Sequence, residues 1–98
     1  MINFALLGTG RIGKLHASII NDHPEASLKY VYDIDTSSAK KIAKKYSCEV
    51  AKTAKEAISS DQINAILIAS ATPTHTDYIS LGAECNKAIL CEKPIDLD

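Results

Sequence analysis

The chain has 98 residues, 46% of them hydrophobic and 23% charged, with eleven Lys and Arg against twelve Asp and Glu for a formal net charge of -1. This length carries one small domain and excludes two, and the composition excludes both an intrinsically disordered chain and a collagen-like fibre. A near-neutral charge balance gives no electrostatic basis for life on phosphate backbones or anionic lipid, so neither a nucleic acid nor a membrane partner is expected.

The longest unbroken apolar runs are Phe4 to Leu7, Ala65 to Ala69 and Ala88 to Cys91. All fall far short of the roughly 20 residues of a bilayer-spanning helix. No basic segment precedes the first apolar stretch and a glycine turn follows it at once, which is not signal-peptide architecture, so a cytoplasmic location is expected. Cys48, Cys85 and Cys91 are odd in number and form no C-x-x-C pair. They read as reduced, small hydrophobic residues, with no disulfide framework and no metal site expected.

In chain order, Ile2 to Leu7 is an apolar run ending at Gly8, the pattern of a strand buried on both faces of a parallel sheet. Ile12, Leu15 and Ile19 recur at helical spacing and predict a helix from Arg11 to about Asp22, stopped by the segment Asn21 to Pro24. Ser27 to Asp33, rich in aromatic and branched side chains, reads as a second strand. Ala39, Ile42, Ala43 and Tyr46 mark a second helix, and Cys48 to Ala51 a brief third strand. Thr53 with Glu56 forms a capping box for a short helix to about Ser59. Asn64 to Ala69 is the next buried strand. Thr72 before Pro73 places an N-cap before N1 and predicts a helix to about Glu84. Ala88 to Cys91 is a fifth strand. Strands alternating with helices imply an α/β fold, a doubly wound parallel sheet with right-handed crossovers. After Cys91 the pattern starts no further element, although such sheets usually have six strands, so residues 1–98 read as the front part of a longer chain.

Gly8-Thr9-Gly10-Arg11-Ile12-Gly13 is a G-x-G-x-x-G string placed between a predicted strand and a predicted helix, the context in which it cradles a dinucleotide diphosphate. Gly8 permits the tight turn, Gly10 leaves room for the diphosphate, and Gly13 lets the helix approach the strand. The anion would rest on the free N–H groups at the helix start. Asp33 follows Gly13 by twenty residues, the separation at which an acid meets the adenosine ribose, where its carboxylate accepts from the ribose hydroxyls and repels a 2′-phosphate. NAD is therefore expected over NADP. Asp35 is the alternative acid, although its place before Thr36 suits an N-cap, and Arg11, Ser37, Ser38 and Lys40 are the groups through which NADP could still bind. The lysines at 40, 41, 44 and 45 read as a solvated helix face. Ligand in such a sheet sits where the strand order reverses, so the loop Ala69-Ser70-Ala71-Thr72-Pro73-Thr74-His75-Thr76 and the segment Glu92-Lys93-Pro94 complete the same edge.

These three segments together resemble the Gfo/Idh/MocA oxidoreductase family, and Gly8 to Ala17 is most similar to its inositol 2-dehydrogenase branch. The resemblance implies a Rossmann domain over residues 1–98, followed in the full protein by an α/β domain that builds the substrate pocket and the homo-oligomer contacts. It further implies that Lys93 is a catalytic amine that orients the reacting hydroxyl and joins the proton relay, aimed inward by a cis peptide before Pro94. Cofactor contacts are expected from Gly8, Thr9, Gly10, Arg11, Ile12, Gly13, Asp33, Ser70, Ala71, Thr72, Thr74, His75, Glu92, Lys93 and Pro94. His75 and Glu92 read equally well as structural groups, and His16 and His23 as packing and solvated residues. The family's catalytic Asp and His belong to the second domain. The expected activity is hydride transfer from a secondary hydroxyl of a cyclic polyol or sugar to NAD, with these residues alone inactive. The rival reading is a non-catalytic module that senses NAD(H).

Overall fold

The computed structural model describes residues 1–70 and 75–91, the side chains of residues 75 and 76 excepted. Five strands, β1 (Ile2–Leu7), β2 (Ala26–Tyr32), β3 (Glu49–Val50), β4 (Ala65–Ile68) and β5 (Ala88–Cys91), alternate with four helices, α1 (Arg11–Asp22), α2 (Thr36–Tyr46), α3 (Ala54–Ser59) and α4 (His75–Glu84). The strands form one parallel sheet in the order β3-β2-β1-β4-β5. The doubly wound α/β fold read from the sequence is therefore present, with strand order reversing between β1 and β4. Because crossovers are right-handed and the chain steps outward from the centre in opposite directions, helices settle on both faces of the sheet.

Alternation along the strands divides the core in two. Leu6, Leu28, Val31 and Leu67 pack under α1 and α2 with Ala17, Ile20, Ala39 and Ile42. On the other face Ala5, Leu7, Ile66 and Ile68 pack with Ala57 and Ile58 of α3 and with Tyr78 and Leu81 of α4. Leu28 and Val31, three residues apart, share a face because the β1–β2 register skips Lys29: Phe4 pairs with Leu28 and Ala5 with Tyr30. The bulge turns Lys29 out of the alternation.

Helix α1 has the expected limits, but its buried face is Gly13, Ala17 and Ile20. Leu15 and Ile19, part of the apolar stripe that predicted the helix, are 56% and 54% exposed. The reason is local. A Cβ at Gly13 would stand 2.0 Å from the Gly8 carbonyl oxygen, so the helix is pinned to the loop at Gly13, and the residues four and seven positions on follow it into the core. Ile19 instead borders a hollow of about 370 Å³ with Ile2, Phe4, His16, Leu67 and Leu90. On the opposite face α4 lies against the sheet at Gly82, where a Cβ would come within 2.7 Å of the Ile66 side chain and 3.2 Å of Ile89.

The capping signals of α2 and α3 hold with one adjustment. Thr53 accepts from the Glu56 N–H at 3.1 Å, while the Glu56 carboxylate takes the N–H of Lys52 at 3.3 Å, one residue before the N-cap. Asp35 caps α2 by accepting from the Ser38 N–H at 3.3 Å. Lys40, Lys41, Lys44 and Lys45 are exposed, as a solvated face requires. Thr72 and Pro73, the start signal for α4, lie outside the described residues. Among the described residues no helix is long and apolar enough to cross a membrane.

Candidate functional site

The carboxyl ends of β1, β2 and β4 meet where the strand order reverses. β1 hands the chain to Gly8, whose N–H donates to the Tyr32 carbonyl at 2.8 Å, while the Ala69 N–H donates to Leu7 at 2.7 Å. Gly8 has φ +105°, and a Cβ there would stand 2.5 Å from the Ser70 nitrogen. Only glycine serves at this position, for backbone conformation and for space.

Gly10 differs from the other two glycines of the loop. Its φ of -72° and ψ of -160° suit any residue, and among the described residues nothing lies within 4 Å of where its Cβ would be. As N-cap of α1 it offers no side-chain acceptor, so the first-turn N–H groups have no cap of the kind that Asp35 and Thr53 supply to α2 and α3. The result is a helix start, positive by its dipole, beside open space that no side chain of its own fills.

Thr9, between these glycines, points inward and is wholly buried. Its N–H donates to Asp33 Oδ2 at 2.7 Å and its hydroxyl reaches the same oxygen at 2.8 Å. Ser38 Oγ lies 2.9 Å from Thr9 Oγ1 and donates to the Thr9 carbonyl at 2.9 Å. Asp33 Oδ1 accepts from the Asp35 N–H at 2.9 Å. Burial pushes the Asp33 carboxyl up, but the hydrogen bonds from Thr9, Asp35 and Ile34 outweigh it and hold the carboxyl below its ordinary value. The acid is an anion fixed to the glycine loop. Next to it, a hollow of about 260 Å³ is lined by Gly8, Gly10, Tyr32, Ile34, Ala69, Ser70 and Tyr78 as well as Asp33. Ile34 is 79% exposed at its rim. Burial raises the Tyr78 hydroxyl, with Tyr32, Asp33 and Asp77 adding to the effect, so it stays a neutral phenol beside the anion.

The structure thus gathers Gly8, Thr9, Gly10, Arg11, Ile12, Gly13, Asp33 and Ser70 at one edge of the sheet. Thr9 is turned toward Asp33 and away from the open space. Ala71, Thr72, Thr74, Glu92, Lys93 and Pro94 lie outside the described residues, and His75 is described only as the first residue of α4. Sequence reasoning did not single out Tyr32 and Tyr78, whose signal was their place at the carboxyl end of β2 and in the first turns of α4. Nor did it find Ser38 as the partner of Thr9.

A β–glycine–α cradle with an acid fixed at the end of the next strand is the arrangement expected of a dinucleotide site, and comparison with known proteins agrees: residues 2–98 match the family model described as an oxidoreductase family with NAD-binding Rossmann fold. The chain belongs to the Gfo/Idh/MocA oxidoreductase family. An inositol 2-dehydrogenase of Rhizobium meliloti (strain 1021) is 44% identical over 97 residues, covering 99% of this chain and 29% of that relative. A myo-inositol dehydrogenase structure from Corynebacterium glutamicum ATCC 13032 matches at a TM-score of 0.90 and 38% identity, over 100% of this chain and 29% of that one. The scyllo-inositol dehydrogenase of Lactobacillus casei, solved with NAD(H) and scyllo-inositol bound, matches at 0.88 and 27% identity, over 100% and 29%. This Gfo/Idh/MocA chain therefore spans less than a third of the length of these relatives.

Proposed function

We propose that this chain is the dinucleotide-binding domain of a dehydrogenase that removes hydride from a secondary hydroxyl of a cyclic polyol or sugar, with NAD as acceptor. The observation that carries the cofactor half is Gly10. Gly8 and Gly13 are demanded by the protein's own backbone, whereas at Gly10 a side chain would meet nothing among the described residues, so the glycine serves something that enters from outside. A diphosphate fits there, on the N–H groups of Arg11, Ile12 and Gly13 at the uncapped helix start.

Asp33 supports NAD over its 2′-phosphorylated form. Its fixed negative charge is an acceptor for a ribose hydroxyl and repels a phosphate in that place. Ser38, one of the groups through which a 2′-phosphate could have been held, spends its hydroxyl on the Thr9 carbonyl. Ile34 at the rim offers an apolar surface to the adenine ring.

The substrate half rests on the relatives, inositol dehydrogenases in name, and on the resemblance of Glu92-Lys93-Pro94. When bound, the nicotinamide ring supplies the hydride acceptor. Lys93 orients the reacting hydroxyl and holds or passes its proton, Pro94 aims Lys93 inward, and Ser70, Ala71, Thr72, Thr74, His75 and Glu92 line the nicotinamide half. The substrate pocket, a catalytic Asp and His, and the oligomer contacts come from the rest of a full-length protein. With myo-inositol as probe, Lys93→Ala in the full-length enzyme should cut kcat at least about 100-fold while the Kd for NAD changes less than about threefold. Residues 1–98 alone should bind NAD without turnover. Turnover by residues 1–98 alone, or a Lys93→Ala variant with full kcat, contradicts this division of labour.

A further inference from the structure

Among the described residues, Thr9 is the one polar side chain that is completely buried, and it sits in the middle of the phosphate-loop sequence without facing the loop's open space. A buried hydroxyl is tolerated when it is hydrogen-bonded, and the partners here are specific. Its single proton lies within reach of Asp33 Oδ2 at 2.8 Å and Ser38 Oγ at 2.9 Å. The carboxylate takes it, because an anionic acceptor makes the stronger bond. Ser38 then gives its own proton to the Thr9 carbonyl. With Asp33 ionised and in the observed rotamer, the Thr9 hydroxyl has a charged acceptor and the Ser38 hydroxyl a carbonyl.

A carboxylate has about four acceptor positions. The N–H and hydroxyl of Thr9 occupy Oδ2, and the Asp35 N–H occupies one position on Oδ1. The Ile34 N–H also faces the carboxylate, so a ligand is confined to the outer side of Oδ1. To swing away from a 2′-phosphate, Asp33 would have to abandon two donors on Thr9, leaving the Thr9 N–H without this acceptor and trading the hydroxyl's charged acceptor for the neutral Ser38 Oγ. We infer that the Thr9 and Ser38 hydroxyls form a clamp that holds Asp33 at the ribose position, making Thr9 a specificity-determining positioning residue for NAD against NADP, an inference that rests on the dinucleotide reading above. Thr9 acts through Asp33 and touches no ligand with its side chain.

The test uses Thr9→Val, which keeps the shape and removes the hydroxyl, Thr9→Ser, which restores it, and Ser38→Ala, which removes the second hydroxyl from a half-buried position. Titration of the full-length protein with NAD and with NADP should show the NAD:NADP affinity ratio falling about tenfold in Thr9→Val, on the scale of one hydrogen bond to a charged group. NAD binding should weaken while NADP binding stays level or improves. Thr9→Ser should recover the ratio, and Ser38→Ala should lower it by a smaller factor. A purely structural role would weaken both dinucleotides alike. An unchanged ratio in folded Thr9→Val, or in Ser38→Ala should the valine variant not fold, overturns the clamp.

NMR titration of the Asp33 carboxyl in the unliganded protein supplies a readout independent of any dinucleotide. Among the described residues, Tyr32, Tyr78, Asp35 and Asp77 are the titratable groups around it, and all are common to wild type and variants. The Asp33 carboxyl should titrate higher in Thr9→Val and return in Thr9→Ser. An unmoved titration overturns the clamp even if the wild type binds NAD. Wild type that binds neither dinucleotide overturns the function proposed above, and this titration then decides the clamp alone.

Discussion

Two hollows in this molecule are of similar size and of opposite character. The one at the carboxyl edge, about 260 Å³, is bounded by a glycine loop, a fixed carboxylate and a helix start without a side-chain cap. The other, about 370 Å³ on the α1 side of the sheet, is bounded by the exposed Ile2, Ile19 and Leu90 and by the buried Ile20 and Leu67, with His16, His23 and Glu25 also in its lining. In the first, Gly8 is set by its backbone conformation and Asp33 by its hydrogen bonds. In the second, the exposed Ile2, Ile19 and Leu90 are aliphatic side chains with no polar group to fix them. Volume would favour the larger, but binding specificity comes from groups whose position is already settled before a ligand arrives.

The comparison breaks most sharply at the glycines. Gly13→Ala drives a Cβ into the Gly8 carbonyl and should cost about 3 kcal/mol or more, or prevent folding, as read by urea denaturation. Gly10→Ala, three residues away, should leave stability within about 1 kcal/mol of wild type while weakening NAD at least about tenfold by titration calorimetry. Equal effects of the two substitutions on stability would erase the distinction between a glycine the fold needs and one the ligand needs.

Asp33 sharpens it further through pH. Its carboxyl is held below the ordinary value in the folded chain, so it contributes stability above the ordinary carboxylate range and loses it as pH falls through the lowered value. The advantage of wild type over Asp33→Asn in denaturant melts should hold from neutral pH down to about 5 and shrink below about 4. The smallest effect belongs to the apolar hollow. Ile19→Gln should change stability of residues 1–98 by no more than about 1 kcal/mol and leave NAD affinity untouched.

What could be read from the sequence were features carried by neighbours in the chain. Gly8, Gly10 and Gly13 announce a strand-to-helix turn because their spacing is set within six residues, and Asp35 and Thr53 announce caps because their partners lie three residues on. The direction of Thr9 was not legible, since it depends on Asp33, twenty-four residues later, and on Ser38 beyond that. The buried face of α1 was misjudged for a similar reason. Size ranked Ile12, Leu15 and Ile19 above Gly13 and Ala17, but close approach to the sheet selects the small residues, and only the packed structure shows where that approach occurs. Lys29 conceals the strand bulge because a single inserted residue leaves the strand's composition intact. Cys48 follows the reading of a small packing residue: half-buried, its thiol is pushed up to about 11 by burial.

Gly82 lies seven residues along α4 from His75, about 10 Å of helix. With no side chain, it lets the helix lie flat on Ile66 and Ile89. A methyl group at that point would act as a shim, forcing either the Ile66 side-chain tip or the helix itself to give way, and any shift of the helix is carried to its leading end at the sheet's rim. The alignment of that rim is thus exposed to drift from the interior, through a position that lies beneath the helix and not at the rim itself.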